Sequence, residues 1–166
     1  FQVTVTTCNG VPITGSPFTI SLATPVVVSV GTGQPTNMFL SLIDVNIIKN
    51  DKGLILEGPK DFYVSFRMRA LNHAETLISK GRPGIGTSFR LGSTPQGGEV
   101  SIRNFVSSVM ATENNTVVNL SDYNTNVVFV SGTGNITSDT QTFTLNAGEC
   151  VVFSGYTNVT ANLNGF

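Results

Sequence analysis

The chain has 166 residues and a mass of 17.6 kDa, which suits one domain with a core of its own. Apolar residues make up 40% of it and charged residues only 11%, against about 25% in a typical soluble domain. Its polarity therefore comes from Thr, Ser, Asn and Gly, a composition that favours an extracellular β protein over a helical bundle or a charged disordered tail. The net charge of −1 gives no reason to expect a nucleic-acid partner, and no apolar run is long enough to insert into a membrane.

Alternation of apolar and polar residues is the dominant pattern along the chain. In a β-strand, side chains two residues apart share a face, so such alternation predicts strands buried on one side. The alternating segments are 1–6, 62–69, 142–145 and 158–163. Denser runs of β-branched and aromatic residues at 26–28, 127–130 and 151–153 predict strands buried on both faces. The segment 70–79 is also predicted to be extended, because Gly81 and Pro83 follow it and no helix start signal precedes it.

Turn signals recur about every ten residues between these segments. They lie at 9–10, 31–35, 49–53, 96–98 and 132–134. Glycine and asparagine adopt the positive φ angles that such turns require, and proline supplies no amide donor. Short strands at this spacing predict an all-β fold, either an antiparallel β-sandwich or a jelly roll or irregular β-roll.

The organisation into domains is less sharply marked. We interpret residues 1–24 as the end of a preceding β domain, with the joint at Thr24-Pro25, and residues 25–166 as a β-rich surface module. The first residues already read as a strand and the last are Asn-Gly-Phe, so we expect the module to continue past residue 166 and the chain to be a piece of a longer one.

Charge is unevenly distributed. Residues 60–103 contain seven of the nine cations and carry a net charge of +4, whereas residues 104–166 contain four acids and no cation. One interpretation is that the two segments pair within the molecule as neighbouring strands or layers. The other is that the cations form a patch that faces an anion.

Motifs for catalysis and for cofactors are weak. His73 is the only histidine, and no Gly-x-Ser-x-Gly sequence supplies a nucleophile for a Ser-His-Asp triad. The loop 81–88 has glycines like a phosphate-binding loop, but Thr87 stands where the lysine belongs, and a strand is predicted at 87–91 where a helix is needed. Oxygen-rich turns at 50–51 and 121–124 are the nearest approach to calcium ligands. We expect a protein that is not an enzyme and that needs no cofactor.

Cys8 and Cys150 are the only cysteines, and they lie near opposite ends of the chain. They have no Cys-x-x-Cys spacing for metal or redox work. If they pair, the disulfide closes a loop of about 140 residues, for which the chain-entropy account gives about 5 kcal/mol of stabilisation. The sequence leaves open whether they form a disulfide or stay as two separate buried thiols.

A family resemblance covers about two thirds of the chain. The sequence KDFYVSFR begins at Lys60, ETLISKGRPGIGTSFRLG at Glu75, FVSSVMATENNTVVNLSDY at Phe105 and TFTLNAGECVVF at Thr142. In this order and spacing they resemble the N-terminal module of IgG-Fc-binding proteins, in the version found in very large surface proteins of gliding Bacteroidota. The resemblance implies a secreted, extracellular module of a multidomain chain, exported by the type IX pathway and associated with adhesion or gliding motility. It carries over no site residue.

These observations together predict a non-catalytic structural or adhesive module at the cell surface. Its partners would be neighbouring modules of the same chain and an extracellular protein or glycan. The cluster predicted to bind is Tyr63, Arg67 and Arg69, which share the outward face of one strand and belong to residue types enriched in binding hot spots. Two alternatives stay open: a carbohydrate-binding module, for which Tyr63, Tyr123 and Tyr156 would supply aromatic rings, and a viral or phage capsid or fibre jelly roll.

Overall fold

A computed structural model describes residues 1–32, 36–70, 73–91, 105–131, 134–138 and 140–157. In these residues the regular elements are β-strands and two short 3₁₀ turns, at Leu42–Asp44 and Arg82–Gly84. The strands are β1 (Gln2–Thr7), β2 (Phe18–Thr19), β3 (Leu54–Glu57), β4 (Ser65–Ala70), β5 (His73–Ile78), β6 (Phe105–Met110), β7 (Thr116–Leu120), β8 (Val127–Ser131), β9 (Gly134–Ile136), β10 (Gln141–Leu145) and β11 (Cys150–Thr157). Neighbouring strands pair antiparallel in every ladder between them. The predicted all-β, antiparallel fold is confirmed.

The first sheet has the strand order β2-β1-β3. The alternation predicted for its central strand is confirmed, since Val3 and Val5 are buried while Gln2 and Thr4 are exposed. Residue Thr4 lies opposite Glu57 in the ladder to β3. Residues 1–24, interpreted from the sequence as the end of a preceding domain, therefore share a sheet with a strand beyond Pro25.

A sandwich-like core lies in the second half of the chain. The four-stranded sheet β6-β11-β8-β9 packs against the two-stranded sheet β10-β7. Phe129 and Phe153, both almost fully buried, lie in the four-stranded sheet, and the rings of Phe143 on β10 and Phe153 are 5.4 Å apart. Leu145 is fully buried in the same cluster. Burial of large aromatic rings between two sheets dominates the energetics of such a core.

Strands β4 and β5 form a separate two-stranded ribbon. Along residues 61–69 exposed and half-buried residues alternate, which confirms the predicted apolar face of Phe62, Val64, Phe66 and Met68. Phe62 connects this face to the first sheet, because its ring lies 6.3 Å from the ring of Phe1. None of residues 65–69 and 74–78 is fully buried, so the ribbon remains largely open to solvent.

Two sequence predictions are wrong. The valine run at 26–28 is not a strand, and the Val27 side chain is 95% exposed. The strand predicted at 87–91 is also missing from the structure, where the chain after the 3₁₀ turn is irregular and exposed up to Arg90. Both segments have suitable residues but no partner strand among the described residues, and a strand needs such a partner to satisfy its backbone groups. The predicted strand at 158–163 and the turn at 96–98 lie outside the described residues.

Gly148 lies in the turn between β10 and β11, where the backbone of Cys8 touches it. Its φ is +85°, and an added Cβ would fall inside contact distance of the Cys8 carbonyl oxygen. Gly10 has a similar φ of +82°, but an added Cβ there would meet no atom. A comparison of substitutions at Gly148 and Gly10 therefore separates the conformational cost of a side chain at positive φ from the cost of a steric clash.

We predict that Gly148→Ala lowers the free energy of unfolding by about 3 kcal/mol or more, because it adds a backbone clash to the strain of a left-handed residue. Gly10→Ala should cost only about 1 kcal/mol, the strain alone. Urea denaturation of both variants measures the difference. Equal losses would show that Cys8 does not pack against Gly148.

Candidate functional site

The first candidate site is the outward face of the β4–β5 ribbon, which we call the arginine face and define as Tyr63, Arg67 and Arg69. Arg67 and Arg69 are exposed and lie two residues apart on β4, hence on one face and about 7 Å apart along the strand. A hydrogen bond of 3.3 Å from the Ser79 amide to the Val64 carbonyl continues the ladder toward Tyr63, whose side chain is 71% exposed. All three residues predicted from the sequence are exposed on one side of the same extended segment, with Tyr63 about 13 Å along the chain from Arg67.

Nothing among the described residues neutralises the arginine face. Arg67 lies opposite Thr76 and Arg69 opposite Ala74, both uncharged. The acid of β5, Glu75, lies opposite Met68 and so belongs to the other face of the ribbon. Asp61 is exposed on the same side as Tyr63, but it is six residues from Arg67, or about 20 Å along an extended chain. Positive charge therefore dominates around the two arginines.

The ion pairs within the described residues are local to segment 44–52. Lys49 lies 3.2 Å from Asp44 and 3.9 Å from Asp51, and Lys52 lies 3.8 Å from Asp51. None joins the cationic segment 60–103 to the acidic segment 104–166. Pairing of these two segments, the first interpretation of the uneven charge, is therefore not found in the described part of the chain. Further exposed cations lie in the chain segments before and after the ribbon, at Lys60, Lys80, Arg82 and Arg90.

The three tyrosines differ in accessibility. Tyr123 is buried in the sandwich core, and its hydroxyl donates a hydrogen bond of 2.6 Å to the Ser138 carbonyl. Tyr156 is half-buried on β11. Only Tyr63 presents most of its ring to solvent. An aromatic platform built from all three rings, which the carbohydrate-binding alternative would use, is not formed.

The second candidate site is a junction that the sequence did not reveal. Cys8, just after β1, and Cys150, at the start of β11, converge on the turn at 49–53, and both are buried free thiols. The Cys8 thiol donates to the Asn50 carbonyl at 2.9 Å, and the Cys150 thiol donates to the Lys52 carbonyl at 3.3 Å. We call this arrangement the cysteine junction: Cys8, Cys150 and the turn 49–53.

The junction favours the protonated form of both thiols. The pKa of Cys150 is raised from 9.0 to about 11, first by burial and next by a negative charge on Cys8, ahead of the effect of Asp51. Burial is also the first cause that raises the pKa of Cys8. Both thiols are therefore poor nucleophiles at neutral pH, because the thiolate is the reactive form.

The other features of the described residues contain few groups that could react or bind a metal ion. A cavity of about 370 Å³ is lined by nine described residues, among them Thr7, Ile13, Asn37 and Leu54, and none of the nine is titratable. Within the described ranges, no group of three or more His, Cys, Asp and Glu residues could hold a metal ion, and this includes the turns at 50–51 and 121–124. The described residues also contain no helix long and apolar enough to cross a membrane.

Comparison with known proteins adds no identification. No family model matches the chain, and neither the curated proteins nor the solved structures give a match. The resemblance to the N-terminal module of IgG-Fc-binding proteins therefore stays a prediction from the sequence.

The raised thiol pKa predicts a pH dependence of stability for the reduced protein. Between about pH 9 and 11 the unfolded chain releases the Cys150 proton while the folded chain keeps it, so the free energy of unfolding falls as pH rises through this range. Below pH 9 the contribution is constant. A shift of about two units corresponds to about 2–3 kcal/mol.

Urea denaturation with a reductant at pH 8, 9, 10 and 11 tests this prediction. The Cys150→Ser variant is the control for other groups that titrate in this range, and most of the extra fall should disappear in it. Parallel pH profiles of the two proteins would contradict the assignment.

Proposed function

We propose that the chain is a structural and adhesive module of a large secreted cell-surface protein, and that it contacts carboxylate- or sulfate-bearing polymers through the arginine face. The observation that carries the proposal is the exposure of Arg67 and Arg69 on one strand face, beside the exposed Tyr63, with no ion-pair partner among the described residues.

The chemistry of these side chains suits such a contact. A guanidinium group offers a planar set of donors that can bind both oxygens of a carboxylate, or two oxygens of a sulfate. Two of them about 7 Å apart on a strand can engage successive charged groups of a linear polymer. A tyrosine ring adds apolar contact area with a polar hydroxyl at its end. Since the arginines have no ion pair with any described residue, binding need not break such a pair.

The position of the arginine face on the molecule also supports a role in adhesion. The ribbon is half-open to solvent and joins the first sheet through Phe62, so a polymer can reach its outward face. The sequence resemblance to large surface proteins of gliding Bacteroidota supports a gliding-motility adhesin, and neighbouring modules of the same chain would then be further partners.

We predict that Arg67→Ser combined with Arg69→Ser reduces binding to a polyuronate-coated surface at least tenfold, because two guanidinium contacts are lost. Thermal stability should stay nearly unchanged, since both side chains are exposed. Binding is measured by surface plasmon resonance at several salt concentrations, with a neutral dextran surface as reference. The matched control is Lys80→Ser combined with Arg82→Ser, which removes the same charge outside the arginine face and should cost much less.

Three results would count against the proposal. If both double variants lose binding equally, net charge and not the arginine face is responsible. If the protein binds polyuronate no better than dextran, the anionic partner is wrong. A large loss of thermal stability in the first variant would mean that the arginines have a structural role.

The proposed origin in a large surface protein has its own test. The intact mass of the native polypeptide, measured under reducing conditions and without proteolysis, should lie far above 17.6 kDa. A native mass near that value would favour a self-standing domain, as in the capsid-like and sugar-binding alternatives.

A further inference from the structure

We propose that Cys8 and Cys150 form a disulfide when the protein meets a low-molecular-weight disulfide, and that this bond fastens the first sheet to the sandwich core. The proposal concerns the cysteine junction and does not depend on the arginine face.

The first argument is that both thiols bind the same turn. The Cys8 thiol lies 2.9 Å from the Asn50 carbonyl oxygen and the Cys150 thiol 3.3 Å from the Lys52 carbonyl oxygen. These two carbonyls belong to residues only two apart, which places them within about 7 Å even on an extended chain. The two thiols therefore bind nearby carbonyl groups of one turn, although 142 positions separate the cysteines in the sequence.

The second argument is that main-chain contacts already hold the backbone at each of the two cysteines. Cys150 exchanges two main-chain hydrogen bonds of 2.9 Å with Lys49, just before the turn. Cys8 packs its backbone against Gly148, two residues before Cys150, at a position where no side chain would fit. A disulfide requires Cα atoms about 4.4–6.8 Å apart, and the contact of the Cys8 backbone with Gly148 places Cys8 beside the residues that lead into Cys150.

The third argument is electrostatic. A charge on Cys8 raises the pKa of Cys150, second only to burial, which requires that the two sulfurs lie close together.

The reaction balances as follows. One cysteine gives up its proton to solvent, and its thiolate attacks a sulfur of the small disulfide, so that a mixed disulfide forms and one small thiol leaves. The second cysteine then loses its proton and attacks the protein sulfur of the mixed disulfide, releasing the second small thiol. The protein is oxidised by two electrons, and the small disulfide is reduced to two thiols. Because burial keeps both cysteines protonated at neutral pH, the reaction should be slow in the folded protein and faster during refolding.

The test is to refold the reduced 166-residue chain in a buffer of oxidised and reduced glutathione at pH 8.5. We expect a monomer about 2 Da lighter than the reduced chain, since two hydrogen atoms are lost. Proteolysis should give one cross-linked peptide pair that contains Cys8 and Cys150. The oxidised monomer should melt about 10 °C above the same protein in reductant, because the bond constrains a loop of about 140 residues in the unfolded chain.

The matched control is the double variant Cys8→Ser and Cys150→Ser, whose hydroxyls can still donate to the Asn50 and Lys52 carbonyls. Its melting temperature should not respond to reductant. If that variant fails to fold, the mass and peptide map of the unmodified chain still decide the question. Two titratable free thiols after equilibration with oxidised glutathione, a persistent glutathione adduct, or a disulfide between two copies of the chain would each overturn the proposal.

Discussion

The main-chain pairing of Lys49 with Cys150 is the contact on which the arrangement of the two main sheets depends. Lys49 and Cys150 exchange amide-to-carbonyl hydrogen bonds of 2.9 Å in both directions, and the Asn46 amide donates to the Val152 carbonyl at 2.8 Å. Segment 46–49 thus occupies the first part of this edge of β11 and β8 the last part, while β6 occupies the other edge. From Lys49 the chain passes through the turn into β3, and β3 holds β1. One short chain segment therefore links the sandwich core to the first sheet.

Asn46 binds this segment to two strands of the core, β11 and β10. Its φ of 62° is one that asparagine tolerates better than most residues, because its short side chain can bond locally. Its backbone binds β11, and its side-chain amide donates at 2.9 Å to Gln141, which is buried on β10. A buried polar contact specifies a position more sharply than apolar packing does, since a buried polar group without a partner is costly. The contact satisfies only one atom of each amide, because Asn46 Oδ1 and Gln141 Nε2 have no hydrogen-bond partner among the described residues.

The sequence predicted local features well. Alternation in β1, β4 and β10 correctly gave the buried face of each strand, because the two-residue period is a property of the backbone itself. The prediction from a dense run of β-branched residues failed at Val26-Val27-Val28, which have the propensity of a strand but no partner strand in the described chain.

The two candidate sites also differ in how far the sequence could predict them. Tyr63, Arg67 and Arg69 lie close in sequence, so their common face could be predicted from spacing alone. The meeting of Cys8, Cys150 and the turn 49–53 could not, because it results from long-range pairing that no local pattern encodes. The uneven charge was visible in the sequence, but which acids meet which cations depends on tertiary structure, and the observed ion pairs proved to be local.

The position of the cysteine junction has a mechanical consequence. A tension that enters through β1 and leaves through β11 reaches Cys8 and Cys150, which lie at the inner ends of those strands. The shortest path for the force then runs across the turn 49–53 and along β11, and it bypasses the ribbon. As long as the hydrogen bonds at this crossing hold, the arginine face stays unloaded and keeps its shape. The strength of the hydrogen bonds at the cysteine junction would then decide at which force the rest of the module begins to extend.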